Sequence, residues 1–232
     1  MKKFDILTIF PNILDSYFDS SILKRAQDKK LIEVRTHDIR QATTDKRKTV
    51  DDTPYGGGPG MVIKIEPVVK TLKKIYPKLK NRPQGGRLKG GKTRVILLTP
   101  RGATLDQNKV KQLAKYDRLI LISGHYEAID ARIDKFIDEK ISLGNFVLTG
   151  GELAAACVVD SVSRLVKGVV GKEESVADES FSFYDKQSKK FNVEFPQYTR
   201  PDKFMNLKVP KVLLSGNHKL IKEWREKQTK FR

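Results

Sequence analysis

At 232 residues with 38% apolar content, the chain suits one medium domain or a larger domain plus a small one, and it can bury a core. Forty-six Lys and Arg against 28 Asp and Glu leave a net charge of +18, which favours polyanions: nucleic acid first, a membrane surface second. The single cysteine, Cys157, excludes an internal disulfide framework and a cysteine-based zinc site, and no stretch approaches the ~20 apolar residues of a membrane span.

The amino terminus, Met1-Lys2-Lys3-Phe4, imitates a signal peptide, but Asp5 interrupts its apolar run and Pro11-Asn12 end it. A reducing cytoplasm is therefore the expected setting. Phe4 to Phe10 reads as a strand, Pro11 to Lys29 as a helix and Leu31 to His37 as a second strand. Gln41 to Met61 is a long polar loop ending in Pro54-Tyr55-Gly56-Gly57-Gly58-Pro59-Gly60. Lys78 to Arg94, with seven basic residues and no acidic one, reads as a mobile basic loop. Val95 to Leu98 and Leu119 to Ile122 have the compact Val/Ile/Leu content of buried parallel strands, and Asp106 to Tyr116 between them has helical spacing. Glu152 to Val166 reads as a largely buried helix, which makes Cys157 a buried structural thiol. Strand–helix alternation of this kind predicts an α/β domain on a parallel sheet. Gly168 to Asp185 loses periodicity. Ser182 to Arg232 carries thirteen Lys/Arg against five Asp/Glu and closes on a helix through Leu220, Trp224 and Lys227.

Glycines gather where strands end: at Pro100-Arg101-Gly102, at Ser123-Gly124-His125-Tyr126-Glu127, and from Leu143 to Glu152. Parallel α/β sheets bind ligands beyond the carboxyl ends of their strands, and glycine lets the backbone approach a ligand there. No standard nucleotide signature accompanies them. Met61 follows the glycine run where a phosphate-loop lysine would stand, and no G-x-G-x-x-G opens a helix. His37, His125 and His218 lack metal-ligand spacing and read as polar or surface histidines. Asp178 and Glu179 form an acidic pair in a basic chain. Arg164, on the apolar helix and near its interior, needs a partner or an anionic ligand.

Several segments together carry a family resemblance. They are Ile9-Phe10-Pro11, Val50 to Met61, Gly124-His125-Tyr126-Glu127, Gly150-Gly151-Glu152-Leu153, Asp160 to Arg164, Tyr198-Thr199-Arg200-Pro201 and Val212 to His218. In this order the chain resembles the tRNA (guanine-N(1))-methyltransferase family, TrmD, of the knotted SPOUT class. The resemblance implies an α/β parallel-sheet domain with a deep trefoil knot over residues 1–167. An interdomain linker over 168–181 and a small, mainly helical, basic tRNA-binding domain over 182–232 would follow. It implies a homodimer whose active sites lie at the subunit interface, S-adenosylmethionine as methyl donor, and a divalent ion such as Mg2+, for which no metal site is visible. The target would be guanosine 37 of tRNA, beside the anticodon, where methylation supports reading-frame maintenance.

By the same resemblance, Leu97, Leu98, Thr99 and Pro100, then Gly124, Tyr126 and Glu127, then Leu143, Gly144, Asn145, Phe146, Val147, Leu148, Gly150 and Gly151 would hold the cofactor. Methyl transfer to ring nitrogen 1 requires loss of its proton, so a carboxylate base is needed, with a cation for the charge that develops on the exocyclic oxygen. Arg164 matches the family arginine. Where the family reads Glu-Asp-Ser-Phe, this chain reads Asp178-Glu179-Ser180-Phe181, and alignment on Ser-Phe puts Glu179 at the base position, with Asp178 the alternative. Asn145, Phe146 and Ala154 replace the more usual Asp, Tyr and Pro. A knotted methyltransferase acting on ribose or ribosomal RNA, and an RNA-binding protein without catalysis, stay open on the residues alone.

Overall fold

The computed structural model describes residues 1–81, 92–171, 179–185 and 190–231. The chain divides into two compact units, Met1–Gly171 and Lys172–Arg232. Most of the basic loop expected over Lys78 to Arg94, and part of the lysine-rich stretch after Ser182, lie outside the described residues.

The first unit is built on five strands: β1 (Lys2–Thr8), β2 (Ile32–Asp38), β5 (Thr93–Thr104), β6 (Arg118–Ser123) and β8 (Glu139–Ser142). They lie in the order β2-β1-β6-β5-β8 and every pairing is parallel. This is the parallel α/β sheet expected from the sequence. Strand periodicity explains why the runs are apolar throughout. Phe4 and Ile6, Leu119 and Leu121, and Ile96 and Leu98 face one core. Leu7, Ile120, Ile122, Val95 and Leu97 face another. With both faces covered, neither can be polar.

Helices α2 (Ser21–Asp28), α4 (Gln107–Ala114) and α5 (Glu152–Ser163) supply the first core, and α3 (Ile65–Ile75) supplies the second. Asp106 caps α4, its carboxylate accepting the Lys109 amide at 2.7 Å. The helix expected over Pro11 to Lys29 is two, α1 (Asp15–Phe18) and α2, because Ser20 is extended and Ser21 takes a φ of +49°. Serine competes poorly for helix interior and readily for such breaks. The short strands β3 (Asp51–Asp52), β4 (Val62–Ile63) and β7 (Ala128–Ile129) tie the glycine-rich loop to the sheet end. Cys157 is exposed, contrary to expectation. Helix α5 is apolar almost all round, so its sequence does not mark its outward stripe, which runs through Leu153 and Cys157.

The second unit pairs β9 (Tyr184–Asp185) and β13 (Lys230–Phe231) with β10 (Lys190–Val193), and β11 (Lys203–Phe204) with β12 (Leu207–Lys208). Its helices are α6 (Lys211–Leu214) and α7 (His218–Gln228). Among the described residues, none of this unit is buried.

Candidate active site

Strand β5 is interrupted. Leu98 and Ala103 both stand opposite Ile141 on β8, so Thr99 to Gly102 leave the ladder as a bulge beyond the sheet. Gly102 rejoins so closely that a Cβ there would meet the Ile141 backbone. The turn after β6 and the loop from β8 to α5 rise beside this bulge. Together they enclose a cavity of about 320 Å³ past the carboxyl ends of β5, β6 and β8.

The cavity gathers three segments that are far apart in sequence. Leu97, Leu98, Thr99 and Pro100 come from β5, and Gly124, Tyr126 and Glu127 from the turn after β6. Leu143, Phe146, Val147, Leu148, Gly150 and Gly151 come from the loop before α5. Gly144 and Asn145 belong to that loop but do not line the cavity. Gly144 serves the loop's shape: its φ is +153°, and its amide donates to Ser142 Oγ at 3.2 Å.

The two glycine turns are bonded to each other. The Gly151 amide donates to the Gly124 carbonyl at 2.8 Å, and His125 bridges Gly150. A Cβ on Gly151 would lie 2.8 Å from Ser123 Cα, so only glycine allows this approach. Tyr126 takes a φ of +58°, a left-handed conformation that costs a non-glycine residue energy and turns its side chain outward. The Glu127 amide donates to Met61 at 3.1 Å, which ties the end of the Gly56 to Gly60 run to the cavity wall.

Behind this wall, Glu152 is buried in the first turn of α5, where the helix dipole favours a carboxylate. Thr8 donates to its Oε1 at 2.6 Å, and His125 Nδ1 faces its Oε2 at 3.6 Å. His125 lines the cavity and packs edge-on against Phe10 and Tyr126, at 5.0 and 5.5 Å between centroids. Sequence reasoning set His125 aside as an ordinary polar histidine. Its place between Gly124 and Tyr126-Glu127 was the available signal. Ile133, Asp134 and Lys140 also line the cavity without having been singled out.

Arg164 forms the carboxyl cap of α5, its amide donating to Asp160 at 3.2 Å, and it does not line the cavity. On the outer side of α5, Tyr17 donates to Asp160 at 2.6 Å, which pushes the phenol up to about 12. Glu179 belongs to the second unit, where its carbonyl accepts from the Ser182 amide and from Asn192. Asp178 lies outside the described residues.

A family profile described as tRNA (Guanine-1)-methyltransferase TrmD matches residues 1–232. The chain belongs to this family. A tRNA (guanine-N(1)-)-methyltransferase of Clostridium perfringens is 48% identical, over 98% of this chain and 88% of the relative. One from Dictyoglomus turgidum is 45% identical, over 98% and 85%. The crystal structure of a tRNA (m1G37) methyltransferase from Aquifex aeolicus superposes with a TM-score of 0.73 at 38% identity, covering 96% of this chain and 87% of that one. Membership in the TrmD family explains why glycine-rich strand ends occur here without a nucleotide-triphosphate signature.

Proposed function

We propose that this protein transfers a methyl group from S-adenosylmethionine to ring nitrogen 1 of guanosine 37 of tRNA. The observation that carries the reading is the convergence of three separate glycine-bearing segments on one cavity, in a chain matched by the family from end to end.

The cavity's chemistry suits the methyl donor. Its walls offer apolar groups for an adenine and for the carbon chain beside the sulfonium (Leu98, Ile133, Leu148, Ala154), while Gly124, Gly150 and Gly151 bring backbone polar groups close. When bound, S-adenosylmethionine supplies an electrophilic methyl carbon on a sulfonium. The residues of the Leu143 to Gly151 loop, with Gly124 and Glu127, would hold it. Glu179 takes the proton from ring nitrogen 1, and Arg164 stabilises the charge that develops on the exocyclic oxygen, a task for which a fixed guanidinium is well suited. Asp178 is the alternative base.

The remaining assignments follow the same reading: residues 1–167 as the knotted catalytic domain, 168–181 as the linker and 182–232 as the tRNA clamp. Homodimer formation, with active sites shared at the interface, is supported by the apolar side chains left exposed at Phe10, Ile13, Tyr17 and Leu153. Among the described residues no group of three or more His, Cys, Asp and Glu is placed to hold a metal ion. No described helix is long and apolar enough to cross a membrane, and the site of action is taken to be the cytoplasm, where tRNA is.

The test is nucleoside mass spectrometry of tRNA incubated with the protein and S-adenosylmethionine. Appearance of 1-methylguanosine at position 37 is expected. Methylation on ribose alone would replace the reading with another knotted methyltransferase. Binding of tRNA without turnover would replace it with a binding protein.

A further inference from the structure

The second unit contains a hollow of about 390 Å³ that methyl transfer does not use. Three aromatic side chains wall it. The Phe195 and Tyr198 rings lie 6.4 and 6.2 Å from the Trp224 ring, both edge-on, so the three are set at steep angles to one another rather than stacked. None of the three is buried, and Tyr198 is 49% exposed. Two cations, Arg200 and Arg225, line the same hollow, the Arg225 guanidinium standing 5.0 Å over the Phe195 ring. One carboxylate does too: Asp202, for which no ion pair or side-chain hydrogen bond is found among the described residues.

These features constrain the occupant together. Aromatic rings left partly exposed around a hollow call for a planar, π-bearing group. Arginines beside them call for negative charge close by, as in a nucleotide whose phosphates flank a base. A simple phosphate site needs no rings, and Asp202 would repel its ligand. A carboxylate in this place is explained by a ligand edge rich in N–H donors. Guanine has two such donors side by side, N1–H and the N2 amino group, spaced to meet both oxygens of a carboxylate. Adenine, cytosine and uracil each pair a donor with an acceptor there.

We propose that this hollow takes one unstacked guanine of the RNA substrate, its face on Trp224 with the Tyr198 ring at its rim, its Watson–Crick edge at Asp202, and its flanking phosphates on Arg200 and Arg225. The inference rests on the tRNA reading for the identity of the polymer. It adds a base-reading site in the basic unit, separate from the guanosine that is methylated.

Trp224 is the only tryptophan of the chain, so the intrinsic fluorescence of the full-length protein reports on this hollow. The probes are uridine oligoribonucleotides about nine nucleotides long, matched in charge, with guanosine, adenosine or an abasic sugar at the centre. The guanosine probe should quench saturably and bind about tenfold more tightly than the abasic one. Asp202→Asn should bring guanosine's advantage over the abasic probe down to that of adenosine, while all three probes gain slightly from the loss of a negative charge, with the circular dichroism unaltered. Equal affinity for guanosine and abasic probes would overturn the proposal, leaving a charge-only surface. A Trp224 emission change that follows protein concentration without RNA would also overturn it, in favour of a second copy of this chain as occupant. Mass spectrometry of methylated tRNA from the same preparations separates the two readings. Methylation without guanine preference removes the hollow alone, and guanine preference without methylation removes the enzyme alone.

Discussion

His125 Nδ1 and Glu152 Oε2 face each other at 3.6 Å behind the cavity wall, and Gly150 packs against both only because it has no side chain. A Cβ at Gly150 would fall on both the imidazole and the carboxylate. Gly150→Ala should therefore push the turn into the cavity or part the pair. We expect at least a tenfold loss of affinity for S-adenosylhomocysteine by calorimetry, with an overpacking cost of about 1–3 kcal/mol in urea unfolding. Unchanged affinity would mean that the turn adapts without moving its backbone donors.

Thr8 connects the amino-terminal strand to the same pair. Its hydroxyl donates to Glu152 at 2.6 Å and also accepts the Phe10 amide at 2.9 Å. Thr8→Val keeps the shape but leaves a buried carboxylate oxygen and a backbone amide without this partner. The expected destabilisation is about 1–3 kcal/mol, and Thr8→Ser should recover most of it. If valine and serine cost the same, the methyl group rather than the hydroxyl is what the site uses.

How much of this was legible follows from how locally each feature is encoded. The central strands were visible because burial on both faces makes their apolar runs continuous, as at Val95 to Leu98 and Leu119 to Ile122. Helix α3 was passed over although Ile65, Val68, Val69 and Leu72 have helical spacing, because it sits between two stretches dominated by glycine and lysine. The three glycine clusters marked the cavity because close backbone approach requires glycine. The Glu152–His125 pair was not legible: a carboxylate opening an apolar helix reads as a solvated cap, and its burial is created by Thr8, 144 residues away. The exposure of Cys157 was hidden for the opposite reason, since nothing in an almost uniformly apolar helix marks its outward side.

In the middle of β1, Asp5 is buried between His37 and Arg118, each at 2.6 Å. Burial pushes its carboxyl up, but the hydrogen bonds from His37 and Arg118 outweigh it and hold the group below the ordinary carboxylate range. A carboxyl held low when folded adds stability that is full above its unfolded value, near 4, and is lost as pH falls through the folded value. Asp5→Asn should cost about 3–5 kcal/mol near pH 6, because Arg118 is left without its counter-charge. That cost should shrink in urea unfolding as the pH is lowered from 4 towards 2. A cost that does not vary with pH would show that the side chain's shape, and not its charge, is what β1, β2 and β6 require.

The chemical step is tested at the acidic pair before Ser180-Phe181. Guanine ring nitrogen 1 is protonated at neutral pH, so transfer waits on a base, and Glu179 is the group proposed for that role. Glu179→Gln preserves shape and hydrogen bonding while removing basicity. It should slow single-turnover methyl transfer roughly 10²-fold or more, with tRNA and S-adenosylhomocysteine affinities nearly unchanged. Asp178→Asn is the matched control and should cost far less. If the two outcomes exchange, Asp178 is the base and the register is displaced by one residue. If neither substitution slows transfer, no carboxylate of this segment is the base, and the proton leaves by water or backbone. Raising the pH should partly restore Glu179→Gln, because a larger share of the guanine is then already deprotonated. A structural defect would not be rescued in this way, so the pH profile separates loss of the base from loss of the fold around it.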